Sequence, residues 1–420
     1  MVKTSHLRRM ARAAAWAPAA VWAYLLAGHG RSWSTVTPFP SLPSPGPTTW
    51  PSVAVIIPAR DEAAILPKTL PSVLAQGYPG RARVVLVDDQ SSDGTATLAR
   101  QLAAARGGRG LGLAIVDGKP APAGWAGKPW AMAQGVELAM AAPAPPEWLL
   151  FTDADIFHPP SGLRDLVGAA LADRRACVSL MARLSTGSGW ERLLMPAFVY
   201  FFAQIYPLRW VNDHHRRTAA AAGGCMLVDA DALKAVGGID AIAAATIDDV
   251  ALAKALKGGG YDIWLGLAGD GTHTSDGTGP PALESRRPCR GLADIWEMVA
   301  RNAYTQLRYS PVVLAGTVAA LSSIYLAPPL LAVGGWVARK PSLAAAGLGA
   351  WTAMTVTYVP MARYYRVPVA SAVVLPFTAA LYMAMTLSSA RRFRARGGVP
   401  WKGRTGPAAP GDGHRHAKLV

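Results

Sequence analysis

Short β-branched runs alternate with helix-type patterns through the first half of the chain. Val53–Ile57 (VAVII) and Val84–Val87 (VVLV) are apolar throughout and bounded by turn residues, and helical patterns follow at Glu62–Gln76 and Thr95–Ala105. Leu113–Val116 and Trp148–Thr152 continue the series, with a helix predicted over Ala131–Ala141 between them. This alternation builds a parallel sheet with crossover helices. Ligands of such sheets gather beyond the carboxyl ends of the strands, so the residues just after each apolar run are the candidates for chemistry.

The two ends of the chain follow a different pattern. After Ser310 come three long apolar segments, Val312–Val337, Leu343–Met361 and Val367–Leu387, each near the length of about 20 residues that crosses a bilayer. Their connectors hold Arg339, Lys340, Arg363, Tyr364, Tyr365 and Arg366, the charge and aromatic mixture of a lipid–water interface, and Pro328 and Pro329 predict a kink in the first. At the other end Ala13–Gly28 is apolar behind Arg8, Arg9 and Arg12, and reads as an uncleaved anchor. A Pro- and Ser-rich linker, Thr35–Pro51, separates it from the first strand. Trp190–Trp210 is aromatic and apolar, fit for a core or for the headgroup layer, and Leu292–Tyr309 places Trp296, Val299, Ala303 and Leu307 on one helical face.

Composition sharpens this division. Of 420 residues 51% are hydrophobic, and the apolar excess lies at the ends, so part of the chain should meet lipid. The net charge of +16 is concentrated beside the apolar segments, including Arg391, Arg392, Arg394, Arg396, Lys402 and Arg404. That placement fits membrane flanks and argues against nucleic acid as a partner. Cys177, Cys225 and Cys289 have neither close paired spacing nor His partners at zinc-ligand intervals, and read as buried fillers in a reducing compartment.

Each predicted strand of the series runs into acids. VAVIIP leads to Arg60-Asp61-Glu62, VVLV to Asp88-Asp89 and Asp93, and WLLFT to Asp153-Ala154-Asp155. Carboxylates collected at one sheet edge repel each other unless a cation or ligand donors share the site. Asp153 and Asp155 can offer oxygen ligands to one hard divalent ion, Mg2+ or Mn2+, which would bridge the phosphates of a diphosphate donor. An Asp-x-Asp pair alone is usually a solvated turn; its place behind two similar clusters is what points to a site. Lys128 suits either a donor phosphate or a solvated loop, and His158 and His273 are candidate additional ligands, His273 the better because its loop GDGTHTSDG is Gly-rich.

This ordered set, VIIPARDE, VVLVDDQSSDGT, Gly127-Lys128, FTDAD and TIDDVALAKAL, resembles the family 2 glycosyltransferases from about Val53 to Leu256. The resemblance implies an α/β GT-A nucleotide-diphospho-sugar transferase domain with a mostly parallel Rossmann-like sheet. It implies that Pro58, Arg60, Glu62, Asp88 and Asp89 hold the nucleoside, and that Asp155 with Asp153 binds the metal and donor diphosphate. Arg60-Asp61-Glu62 stands where many members have Tyr-Asn-Glu. Asp248-Asp249 matches the Glu-Asp pair whose second acid is the general base, although acids there would also suit the start of the helix Val250–Lys257. Gly223-Gly224-Cys225-Met226 resembles the small-residue segment on the acceptor side, where packing alone is an equal explanation. Gln306-Leu307-Arg308-Tyr309 is only loosely like the Gln-x-x-Arg-Trp element of processive members.

With DGKPAPAGWAGKPWA, RRTAAAAGGCMLVDADAL and the terminal spans, the chain looks closest to the hopene-associated glycosyltransferases, which implies a polycyclic membrane-lipid acceptor. The expected organisation is an anchor at 1–34, a linker at 35–51, the GT-A domain at 52–289, an interfacial helix at 290–310, three spans at 311–390 and a basic tail at 391–420. The expected activity is inverting, metal-dependent sugar transfer from a nucleotide-diphosphate donor to a lipid. A processive polysaccharide synthase and a non-catalytic nucleotide-sugar-binding membrane protein are the alternatives. The basic N-terminus, if one span followed it, would put the domain outside the cell. Nucleotide sugars are cytosolic, and on that ground the expected location is a multi-pass protein of the bacterial inner membrane with its catalytic face in the cytoplasm.

Overall fold

The computed structural model describes residues 2–40, 46–269, 282–396, 400–401 and 404–405. The chain divides into two compact units: an α/β unit of Val36–Ser185, Trp210–Pro288 and Gly398–Val420, and a helical unit of Met1–Thr35, Thr186–Arg209 and Cys289–Gly397. The aromatic stretch Trp190–Trp210 therefore belongs, up to Arg209, to the helical unit.

In the α/β unit β1 (Val53–Ala59) is central, parallel to β2 (Ala82–Asp88) on one side and β4 (Trp148–Thr152) on the other, with β3 (Gly112–Asp117) beyond β2. After the short β5 (Ile156–Phe157), β6 (Cys177–Met181), β7 (Cys225–Asp229) and β8 (Ile263–Leu267) complete a seven-stranded sheet of order β3-β2-β1-β4-β7-β6-β8. Every residue of β1, β4 and β8 is buried, which is why these strands read as unbroken apolar runs rather than alternating ones. One strand breaks the parallel rule: β7 is antiparallel to both β4 and β6, with Cys225 opposite Thr152. That reversal brings Gly223 and Gly224, which lead into β7, to the edge where β1, β2 and β4 end. A last pair, β5 with β9 (Glu284–Ser285), is antiparallel, Ile156 opposite Ser285.

Helices cover the sheet. Helix Leu66–Leu74 buries Leu66, Leu70, Val73 and Leu74 in one core with Val55, Ile57, Leu86 and Leu150. Its start four residues later than the pattern suggested has a cause: Glu62 is held in the turn before it, its amide bonded to Thr95 Oγ1 at 2.8 Å. Helix Gly127–Met140 approaches so closely that a Cβ on Gly135 would lie 2.6 Å from Ile56 Cγ2 and 3.0 Å from Val87 Cγ2.

The helical unit contains helices Val2–Ala27, Gly189–Ile205, Leu292–Gln306, Pro311–Val337, Pro341–Tyr364 and Val369–Arg396, the fourth passing through a π-helical turn at Ser322–Leu326 and the last opening with a 3-10 turn. Pro328 has no amide hydrogen for the carbonyl four residues back, that of Ile324. Trp22, fully buried, donates its indole N–H to that carbonyl at 2.8 Å and packs edge-on against Tyr325. The predicted disturbance at the prolines is thus a π turn with its orphaned acceptor satisfied.

Among the described residues two helices are long and apolar enough to cross a membrane, Pro311–Val337 and Val369–Ala395. Pro341–Tyr364, the third expected span, does not join them: it carries Ser342, Thr352, Thr355 and Thr357, which lower its hydropathy. Among the described residues the first helix contributes a shorter apolar stretch, Ala15–Ala27, which gives the expected N-terminal anchor only weak support.

Because Gly135 has sheet side chains within contact of any Cβ, Gly135→Val should lower unfolding free energy by about 1–3 kcal/mol. Chemical denaturation followed by tryptophan fluorescence checks this; unchanged stability would show that the helix can ride off the sheet.

Candidate active site

The loops after β1 and β2 are built to fit each other. Asp61 Oδ1 accepts the Ser92 amide at 2.7 Å, the Asp61 amide donates to Ser91 Oγ at 2.9 Å, and Asp93 Oδ2 accepts the Ala63 amide at 2.9 Å. Asp93 Oδ1 also accepts the amide and hydroxyl of Thr95 at the start of helix Thr95–Ala104. Burial acts to raise the Asp93 carboxyl, but these hydrogen bonds outweigh it and hold its pKa below the ordinary value. Gly94, at φ +82°, makes the left-handed turn between them. Asp89 is fully buried; its amide donates to Ala59 O at 2.7 Å, and Arg60 Nη1 lies 2.6 Å from its carbonyl and 3.6 Å from its carboxylate. Asp88 ends β2 beside it, its Oδ1 accepting the Ser91 amide at 3.2 Å, and Pro58 lies opposite Val87 in the sheet. Pro58, Arg60, Glu62, Asp88 and Asp89 are therefore brought to one corner.

A second cluster forms where β4 ends. Lys128, in the first turn of its helix, places Nζ 2.8 Å from Asp153 Oδ1 and 3.1 Å from Asp248 Oδ2. The second approach is off-angle for a hydrogen bond and acts as a charge pair. Burial disfavours the ammonium, but Asp153, Asp248 and Asp249 together keep Lys128 charged well above its ordinary pKa. Burial raises the Asp153 carboxyl even against the pull of Lys128. Asp248 and Asp249 open helix Asp248–Gly258 rather than precede it, and Ile247, not an acid, occupies the capping position. Asp249 is fixed by two amides: Gly223 N to Oδ2 and Val250 N to Oδ1, both at 2.7 Å. Its pKa is pushed up to about 7 by burial first and then by neighbouring Asp248. A Cβ on Gly223 would lie 3.0 Å from Lys128 Nζ and 3.3 Å from Asp249 Oδ2, so a glycine here serves the cluster directly.

Arg287 joins the two corners. Its Nη2 lies 2.8 and 2.6 Å from the two oxygens of Glu62, and its Nε lies 3.5 Å from Asp155 Oδ2, which also accepts Ser285 Oγ at 2.6 Å. The β5–β9 pairing and the Arg286 amide, bonded to Asp155 O at 2.8 Å, hold this segment across the sheet edge.

Residues 54–237 match the model of the Glycosyl transferase family 2 domain. Over that segment, a little under half of the chain, the sequence matches a family 2 glycosyltransferase domain. No curated protein sequence matches the chain. Among solved structures, the chain is similar to a mannosyltransferase from Pyrobaculum calidifontis in complex with GDP-Man and Mn2+ (20% identity, 90% of this chain and 98% of that one, TM-score 0.48). It is also similar to S. aureus TarS 1–349 in complex with UDP-GlcNAc (13%, 86% and 97%, 0.35) and to mannosyl-3-phosphoglycerate synthase from Rubrobacter xylanophilus (16%, 59% and 70%, 0.33). The assignment rests on the domain match, with which the mostly parallel α/β sheet of a GT-A fold agrees.

The family 2 match covers Pro58 to Asp155, whereas Asp248, Asp249 and Arg287 reach the same edge from beyond it. Arg287 and Ser285 were not foreseen, since no local pattern surrounds them; the only hint was an excess of acids over bases among the motifs. Of the two candidate histidines, one departs from expectation. His158 is buried, pushed down to about 4 by desolvation, and its Nε2 pairs with Thr152 Oγ1 at 2.8 Å, which in turn donates to Gly224 O. It is a neutral brace between β4 and the entry to β7, not a ligand. His273 lies outside the described residues.

Among the described residues no group of three or more His, Cys, Asp or Glu side chains is arranged to hold a metal. Asp153 and Asp155 face Lys128 and Arg287 instead. Two carboxylates at one strand end nevertheless fit Mg2+ or Mn2+, which characteristically take one or two carboxylates and complete their shell with substrate phosphates and water.

Lys128→Met would leave Asp153 and Asp248 without their cation and should cost about 1–3 kcal/mol. Thermal unfolding at neutral pH measures this. Stability equal to the parent would show that solvent screens both acids.

Proposed function

We propose that the family 2 domain is an inverting glycosyltransferase that moves a sugar from a nucleotide-diphosphate donor to a membrane-lipid acceptor. The observation that carries this reading is the edge cluster of Lys128, Asp153, Asp248 and Asp249, with the Gly223 amide aimed at Asp249. Pro58, Arg60, Glu62, Asp88 and Asp89 form the nucleoside corner, where Asp89 is too tightly held by Arg60 to move. Asp153 and Asp155 face the diphosphate and are the residues that would hold Mg2+ or Mn2+. A divalent metal bound there supplies neutralising charge for the departing diphosphate.

Asp249 acts as general base. Its carboxylate takes the proton of an acceptor hydroxyl as that oxygen bonds to the anomeric carbon and the bond to the diphosphate breaks, the electron pair leaving with the phosphate oxygen. Attack from the side opposite the leaving group inverts the anomeric centre. The Gly223 and Val250 amides fix one carboxylate orientation, and a pKa near 7 makes the group a competent base at neutral pH. Lys128 opposes the upward push of Asp248 on that pKa.

The membrane part of the reading draws on the helical unit. Val312, Leu330, Trp336 and Val337 on helix Pro311–Val337 are 70–80% exposed, an apolar surface that water disfavours and lipid accepts. On this reading the chain is a multi-pass protein of the bacterial inner membrane with the transferase on the cytoplasmic side, where nucleotide sugars are made; the exposed apolar surface supports the contact with lipid alone. A polycyclic, hopanoid-type acceptor follows from the sequence resemblance.

Asp249→Asn should lower turnover at least about 100-fold while nucleotide binding persists. In the parent, protonation of Asp249 removes the base, so kcat/KM should fall as pH drops through about 7 and level off above it. Chelation should abolish turnover, and Mn2+ or Mg2+ should restore it. The deciding assay incubates native membranes with a panel of radiolabelled nucleotide sugars and a divalent ion, then extracts lipid. Label in the organic phase that disappears with Asp249→Asn supports the proposal; no lipid product from any donor overturns it.

A further inference from the structure

The acids of the edge cluster are served by two basic side chains with different anchorage. Lys128 is one-fifth exposed and sits in a helix turn, whereas the Arg287 side chain is 45% exposed and comes from a segment pinned by β5–β9. Arg287 grips Glu62, which is 8% exposed, through both oxygens, and reaches Asp155, 15% exposed, through Nε at 3.5 Å. Asp155 Oδ2 also receives Ser285 Oγ, so the carboxylate that the proposed reaction needs for a metal already has a cation and a hydroxyl on one oxygen. A divalent ion entering there meets the guanidinium at short range, where like charges repel strongly.

A diphosphate changes that balance. It brings negative charge to the same edge, and the planar fork of a guanidinium matches phosphate as well as it matches carboxylate. Resting on the transferase reading, we propose that Arg287 couples donor and metal binding: it occupies the cationic position at Asp155 in the donor-free protein and passes to the donor diphosphate as the metal enters. Metal alone then binds weakly, and metal and nucleotide tighten each other by one reciprocal factor.

The test is titration of the full-length protein in detergent with Mn2+, the unbound ion read by electron paramagnetic resonance, with and without UDP or GDP. The parent should bind Mn2+ at least about tenfold tighter with the preferred nucleoside diphosphate than without it, a linkage of the ordinary size. Arg287→Gln should bind Mn2+ alone on the order of tenfold tighter than the parent and lose most of the nucleotide effect. Arg287→Lys keeps the repulsion without the fork, so it should bind Mn2+ alone as weakly as the parent, with reduced coupling; it also gives a folded comparison should the Gln variant prove unstable. Unchanged Mn2+ affinity in Arg287→Gln, with turnover by the parent intact, overturns the exchange and leaves the transferase reading standing. Absence of Mn2+ binding to every variant in the presence of UDP and of GDP overturns both.

Discussion

Carboxylates crowded against one another at the end of a sheet are the constraint around which this α/β unit is organised. Asp153, Asp155, Asp248, Asp249 and Glu62 reach a partly desolvated edge from three separate stretches of chain, and their mutual repulsion would open that edge if nothing opposed it. Lys128 and Arg287 supply the opposing charge, each shared between acids from different elements. The result is an edge held together by the groups that repel each other, with cations placed where an ion and a diphosphate could take over.

The backbone contributes as much as the side chains. Because β7 runs against its neighbours, the Gly223 amide arrives at the carboxyl ends of β1, β2 and β4 and sets the orientation of Asp249. A parallel strand in the same place would have delivered the opposite end of the segment. His158 and Thr152 then tie the end of β4 to Gly224, which keeps the two sides of the cluster in register without adding charge.

The helical unit obeys other rules. The carbonyl that Pro328 leaves without its helical partner accepts the Trp22 indole N–H. Small residues of this unit, Gly335 and Gly347, let helix backbones touch, and its large apolar side chains remain outward on Pro311–Val337.

The strands β1, β2 and β4 were readable from the chain, because a strand buried on both faces must be apolar throughout and the turns around it must not be; β3, half-buried at the sheet edge, showed only as a short apolar run. The acids after β1, β2 and β4 were readable for the same reason, since polarity that begins abruptly where a buried strand ends stands out. Two spanning candidates were likewise visible in composition, whereas the hydroxyl side chains of Pro341–Tyr364 set that helix apart from them. What order along the chain left open is which acid meets which base. Arg287 lies 225 residues from Glu62, and Gly223 lies 26 from Asp249. No periodicity reports such pairs: the partners are chosen by strand direction and by the need to neutralise buried charge, and both exist only once the sheet has formed.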